Sequence, residues 1–173
     1  MQNEQRNPTL KKFIFSTLAL VIAFFATGTA FAASATANAT VSIVANISIA
    51  KVTDLQFGNI VAGVGATVVS LSTAGVRGGS GNAVLGGTVS AASFTVSGDG
   101  ASTYAITLPT TVTLTTTPGA ETMTVTGFNS NPSLTGILTG GTQNLLVGAT
   151  LNVGAGQVAG VYSSTFDVSV AYN

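Results

Sequence analysis

The chain is predicted to be all-β, a single sandwich domain of short antiparallel strands. Three observations predict it. First, Ala33 to Ile49 alternates: Ala33, Ala35, Ala37, Ala39, Val41, Ile43, Ala45, Ile47 and Ile49 are apolar, and Val44 is the one apolar residue among the positions between them. Successive strand side chains point to opposite faces, so period two is a strand signature. Second, no stretch after Ala32 sustains a helical period. Third, short runs rich in Val, Thr and aromatic residues recur between turn signals, the pattern of a sandwich.

The first residues read as a processing signal. Arg6, Lys11 and Lys12 form a basic start, Phe13 to Phe25 an apolar run, and Ala30-Phe31-Ala32 a small-residue cleavage site. Phe13 to Ala33 is almost long enough to span a bilayer, but the cleavage site and the polar stretch beyond favour removal. A cut after Ala32 defines a signal peptide at 1–32 and leaves 141 of the 173 residues. With no Cys for lipid attachment and no twin arginine, general secretion is the expected route.

The alternating stretch is about three times an ordinary strand and starts at this cut. An exported chain with such a segment at its free end has a strand available to another sheet. The extension is placed at 33–45 and the domain at 46–173, with Asn46 as the boundary. Runs then follow at Asp54–Phe57, Thr67–Leu71, Ala83–Leu85, Ser93–Ser97, Thr103–Leu108, Thr111–Thr115, Thr122–Phe128, Gln143–Val147 and Thr150–Val153. Gly75 to Gly81 reads as a flexible loop, and Ser97-Gly98-Asp99-Gly100 as a hairpin turn between the strands of Phe94 and Tyr104. Pro109, Pro118 and Asn131-Pro132 break or edge neighbouring strands. The last run, Val161 to Tyr172, puts Tyr162, Phe166, Val168, Val170 and Tyr172 on one face and Ser163, Thr165, Asp167 and Ser169 on the other. The chain stops just after it, with a spare strand at its other end, so exchange between subunits is expected. Phe57, Phe94, Phe128, Phe166 and Val168 are the expected core.

After Ala32 only Lys51 and Arg77 oppose Asp54, Asp99, Glu121 and Asp167, a net charge of −2. That disfavours nucleic acid and anionic membranes as partners. A surface so poor in charge suits a chain that hides much of itself in an assembly. There is no His, Cys or Trp, which removes imidazole and thiolate chemistry and disulfides. Ser48-Ile49-Ala50-Lys51 fits S-x-x-K, but its partner motifs are absent and it reads as a solvated lysine at a strand end. Gly154-Ala155-Gly156-Gln157-Val158-Ala159 fits G-x-G-x-x-A, yet a strand follows, so it is a turn. The four acids are isolated and read as surface charge; a calcium site needs folding to gather them. No residue is expected to be catalytic or to bind a cofactor or a metal.

The ends resemble pilins of the chaperone–usher pathway, which commonly end in a strand with a penultimate aromatic and a glycine fourteen residues from the end. Tyr172 is penultimate, and Gly160 is fourteenth counting back from Asn173. The chain from about Ala39 to Asn173 is also similar to a bacterial secreted family catalogued as domain of unknown function 4402. That likeness rests on Lys51-Val52-Thr53-Asp54-Leu55-Gln56-Phe57-Gly58-Asn59-Ile60-Val61-Ala62-Gly63, Ala92-Ser93-Phe94-Thr95-Val96-Ser97-Gly98 and Val147-Gly148-Ala149-Thr150-Leu151-Asn152-Val153-Gly154.

The pilin resemblance implies an immunoglobulin-like sandwich missing its seventh strand. A periplasmic chaperone would lend that strand, an outer-membrane usher would follow, and in the fibre the next subunit's extension would fill the gap. Ala37, Ala39, Val41 and Ile43 are then the donor residues. Gly160, Tyr162, Phe166, Val168, Val170 and Tyr172 form the strand that meets chaperone or subunit. The donor alanines are smaller than is usual for such a strand, which leaves Val41 and Ile43 as the best plugs. The expected function is a non-catalytic shaft subunit of a fimbria, exported to the periplasm and then the cell surface, with copies of itself or related pilins as partners. The alternative is a monomeric secreted β-sandwich binding module, with glycan as a candidate ligand.

Overall fold

Among residues 31–80 and 83–173, which a computed structural model describes, the chain forms thirteen strands. The leader expected at 1–32 therefore lies outside the described residues except for Phe31 and Ala32. Internal contacts divide the chain into two units, Met1–Val41 and Ser42–Asn173. In the first, residues 31–41 form no strand or helix and every one is exposed. The second is a β-sandwich.

Its strands are β1 (Ser48–Thr53), β2 (Gln56–Val61), β3 (Thr67–Leu71), β4 (Arg77–Ser80), β5 (Ala83–Ser90), β6 (Ala92–Ser97), β7 (Thr103–Thr107), β8 (Thr111–Thr116), β9 (Thr122–Asn131), β10 (Thr135–Ile137), β11 (Thr142–Val153), β12 (Tyr162–Ser163) and β13 (Ser169–Tyr172). An eight-stranded sheet runs β1-β6-β11-β9-β8-β12, with β3 also on β11 and β4 on β3. Two small sheets, β10-β7-β13 and β2-β5, supply the opposite layer. All pairings are antiparallel.

The 12-residue β11 is the axis of the domain. Its first half pairs with β6 and its second half with β3, while β9 flanks it on the other side. Its odd residues all face inward. Leu145 and Val147 join Ala92, Val96, Tyr104, Ile106 and Leu138 in one core cluster. Ala149, Leu151 and Val153 join Val69 and Val125 in the other. Gly148 sits at the change of partner, where an added Cβ would meet the Leu71 carbonyl.

A bulge keeps β9 in phase with this axis. Met123 and Val125 point inward at odd positions, whereas Phe128 and Ser130 do so at even ones. The register shifts opposite Gly148/Thr150, and Gly127 takes φ 60° there. One extra residue flips the side-chain parity, and glycine takes the left-handed turn without a Cβ penalty.

Several expectations need correction. The long alternation from Ala33 forms a strand only from Ser48, and side chains first turn inward at Ile47. Residues 31–46 have no neighbouring strand among the described residues, so period two there is a pattern without a ladder. The turn expected at 97–100 falls two residues later, closed by the Ser102 N–H donating to the Asp99 carbonyl, and because β6 and β7 lie in different sheets it carries the chain across the sandwich instead of closing a hairpin. The loop expected at Gly75–Gly81 contains β4, and β10 had no sequence signal. The C-terminal run divides into β12 and β13, with Ser164–Val168 outside any strand, although Tyr162, Phe166, Val168, Val170 and Tyr172 still share the inward face. Phe57, Phe94, Phe128, Phe166 and Val168 pack against the core clusters half-buried, while the fully buried residues are chiefly aliphatic.

Candidate functional site

An open groove of about 620 Å³ lies between β2 and the C-terminal segment. Its floor comes from the inner face of the large sheet: Val112 and Leu114 on β8, Met123 and Val125 on β9, and Leu151 on β11. Thr-Val-Thr-Leu-Thr in β8 turns its threonines out and Val112 and Leu114 in, as period two requires. Asp54 to Ile60 forms one wall and Gly160 to Ser164 with Phe166 forms the other.

The β2 wall is braced from behind. The Arg77 guanidinium donates to the Phe57 carbonyl at 2.7 Å. This contact sits at a register shift between Phe57 and Asn59, where Gly58 takes φ 72°. A Cβ at Gly58 would lie 2.8 Å from the Gly86 carbonyl, so the close approach of β5 and Arg77 needs glycine. Arg77 was legible only as part of an Arg-Gly-Gly loop, and its clamp on β2 depends on a contact 20 residues away.

The opposite wall contains three of the sequence-predicted residues. Gly160 is at the rim, and Tyr162 and Phe166 are half-buried. The Tyr162 hydroxyl donates to the Val158 carbonyl at 2.7 Å and accepts from Gln157 Nε2 at 2.8 Å. The Phe166 ring meets Phe128 with centroids 5.2 Å apart and planes at 46°, a favourable tilted contact. Val168, Val170 and Tyr172 pack instead against the first core cluster. Between β12 and β13, Ser164–Val168 pairs with no strand among the described residues. Backbone groups left without a ladder beside an apolar groove can be paired by an added strand.

Ala37, Ala39 and Val41 are exposed and outside any strand, and so is Ile43, which is 92% exposed. The groove therefore takes in part of the C-terminal set and does not include Ile43. At the rim Lys51 Nζ meets Asp54 Oδ1 at 2.6 Å, an exposed pair worth little. The S-x-x-K lysine is thus occupied by a neighbouring carboxylate. Among the described residues no three acids, histidines or cysteines gather as metal ligands.

These features define a β-sandwich with an open groove floored by apolar side chains. The family model described as "Domain of unknown function (DUF4402)" matches residues 47–172, and the chain belongs to that family. The match starts at Ile47, the residue at which side chains first turn into the sandwich. No curated protein matches the chain.

Proposed function

We propose that this chain is a non-catalytic structural subunit of a surface fimbria, polymerising by donor-strand complementation. The groove carries this reading. It is apolar on its floor, open, and bordered by Ser164–Val168, whose backbone belongs to no ladder. A strand laid there would gain main-chain hydrogen bonds and bury alternate side chains. The alternating stretch around Ala37, Ala39, Val41 and Ile43 of another copy has that form. The pilin-like positions Gly160 and Tyr172 bracket the segment that carries β12, the unpaired Ser164–Val168 and β13.

In this reading the chain is exported, held in the periplasm by a chaperone that lends a strand, and passed through an outer-membrane usher to the cell surface. Copies of itself or related pilins are its partners. Deleting Ala33–Ile43 should leave a folded subunit that forms no fibres. Negative-stain microscopy of cells carrying the full or the deleted chain tests it. Fibres of normal number and length from the deleted chain would refute the proposal and favour a monomeric secreted binding module.

A further inference from the structure

The outer face of the large sheet, opposite the groove floor, carries two depressions of its own. Gly148, Thr150 and Asn152 of β11 point outward there, and so do Thr124 and Asn129 of β9. No outward position on β3, β8, β9 or β11 is charged, and Glu121 borders the face beside Thr122. One depression, of about 410 Å³, has Asn152, Thr124 and Val68 in its lining. The other, of about 400 Å³, has Asn129, Ser70, Thr150 and Val76.

The two repeat one composition: an asparagine, hydroxyls beside it, and a valine in water. Val68 is 43% exposed and Val76 66%. Each asparagine is anchored through its Nδ2. Asn152 donates to the Thr124 carbonyl at 3.1 Å, and Asn129 donates to the Gly127 carbonyl at 3.2 Å. Their Oδ1 atoms remain as acceptors whose position is already fixed. Asn152 Nδ2 also lies 3.3 Å from Thr124 Oγ1, so that hydroxyl accepts there and keeps its own proton to donate. An acceptor and a donor side by side suit the neighbouring hydroxyls of a sugar, and the valines suit its C–H faces. Thr67, also in the lining of the first depression, has a buried hydroxyl with no partner among the described residues. A ligand at this site satisfies it directly or through a water.

Asn129 stands opposite Gly148, and Asn152 lies four residues further along β11, about 14 Å away. Two matching sites in line on one strand fit a chain of sugars better than a single small molecule. No aromatic residue occupies an outward position on these strands, so each site grips weakly and a polymer gains by engaging both. The excess of carboxylates after Ala32, with Glu121 at this border, disfavours an anionic polymer.

We propose that this outer face binds an uncharged polysaccharide, laid along β11 across the Asn152 and Asn129 sites. The site is on the other side of the sheet from the groove and does not depend on whether the chain polymerises.

Surface plasmon resonance with immobilised dextran, galactomannan, β-1,3-glucan and alginate tests it on the purified full chain. At least one of the three uncharged polymers should bind, and alginate should not. Asn152→Ala alters the first site, and Asn129→Ala and Ser70→Lys the second. Each should weaken binding by roughly fivefold or more. Ser70 is exposed on β3, so Ser70→Lys should leave the melting temperature unchanged even where Asn152→Ala lowers it. Binding to none of the uncharged polymers would overturn the proposal, as would equal binding to alginate or equal binding by the parent and all three variants. Self-association without polymer that Ser70→Lys abolishes would make the face a contact between copies and overturn it as well.

Discussion

The Tyr172 hydroxyl donates to the Ala45 carbonyl at 2.8 Å and accepts the Asp99 N–H at 2.6 Å. One side chain thus ties the last strand both to the turn that crosses the sandwich and to residue 45, upstream of β1. The bond to Ala45 spans 127 positions, so it fixes where the exposed stretch leaves the domain.

Tyr172→Phe keeps the ring against the core and removes both bonds. It should cost about 1–2 kcal/mol, the range for a hydrogen bond whose partners lose their match. Urea denaturation measures the cost, and hydrogen exchange should quicken at the Asp99 amide. Unchanged exchange there would mean that the hydroxyl does not hold the turn.

Tyr104 is fully buried, and its hydroxyl donates to Gln143 Oε1 at 2.7 Å. Burial raises its pKa above the ordinary phenol value. The unfolded chain therefore releases this proton first as pH rises. Stability from this group is whole below about pH 10 and declines as pH climbs past it. Melting temperatures across pH 8 to 11 should show the decline, and Tyr104→Phe should lessen it.

How much of this was legible depended on what each pattern encodes. Thr67–Leu71 was readable to the residue, because alternation there coincides with one strand in one sheet. β11 was read as two runs, since Gly148 interrupts the apolar series at the point where the strand changes partner. Turn chemistry at Ser97–Gly100 announces a reversal but not the sheet to which the chain returns. The Arg-Gly-Gly of β4 carries almost no side-chain signal; its place comes from pairing with β3. The phenylalanines were ranked by size, yet size does not set depth: Leu145 and Val147 are fully buried, whereas Phe57 and Phe166 form groove walls. Of the groove, the sequence exposed one wall through the Tyr162–Phe166 alternation. The other wall requires β2, Arg77 and the bulge at Gly58 to meet in space.

Gly148→Ala should be costly despite its small size. The position is buried, and the new methyl would lie 2.8 Å from the Ser72 carbonyl carbon and 2.9 Å from the Thr73 nitrogen. Those are backbone atoms of a neighbouring strand end and cannot rotate away. A loss of about 2–3 kcal/mol is expected from overpacking, read by chemical denaturation. A loss below about 0.5 kcal/mol would mean that β3 gives way there, as ordinary surface sites do.

Leu134 is the one non-glycine residue with positive φ among the described residues, at 62°, and it is 79% exposed. Its carbonyl accepts the Ile106 N–H at 2.8 Å, which holds the backbone in place. A left-handed conformation costs a side-chain-bearing residue about 1–2 kcal/mol. Leu134→Gly relieves that cost, gives back part of it as unfolded-state entropy, and loses little burial. A net gain of about 0.5–1 kcal/mol is expected. A lower melting temperature would show that Leu134 makes contacts worth more than the backbone relief.

Ile43→Asp separates folding from assembly. Ile43 is 92% exposed in the single chain, so the substitution should change its stability by no more than about 0.5 kcal/mol. In the proposed fibre the same side chain would be covered by the groove of another copy, whose lining holds no cation to balance a carboxylate. Burying it there should weaken assembly roughly a hundredfold or more. Ile43→Val, which keeps an apolar plug, should assemble nearly as the parent does. The two variants are compared by thermal melting and by light scattering during assembly. Equal melting with unequal scattering is the expected result; equal scattering would remove Ile43 from the donor strand.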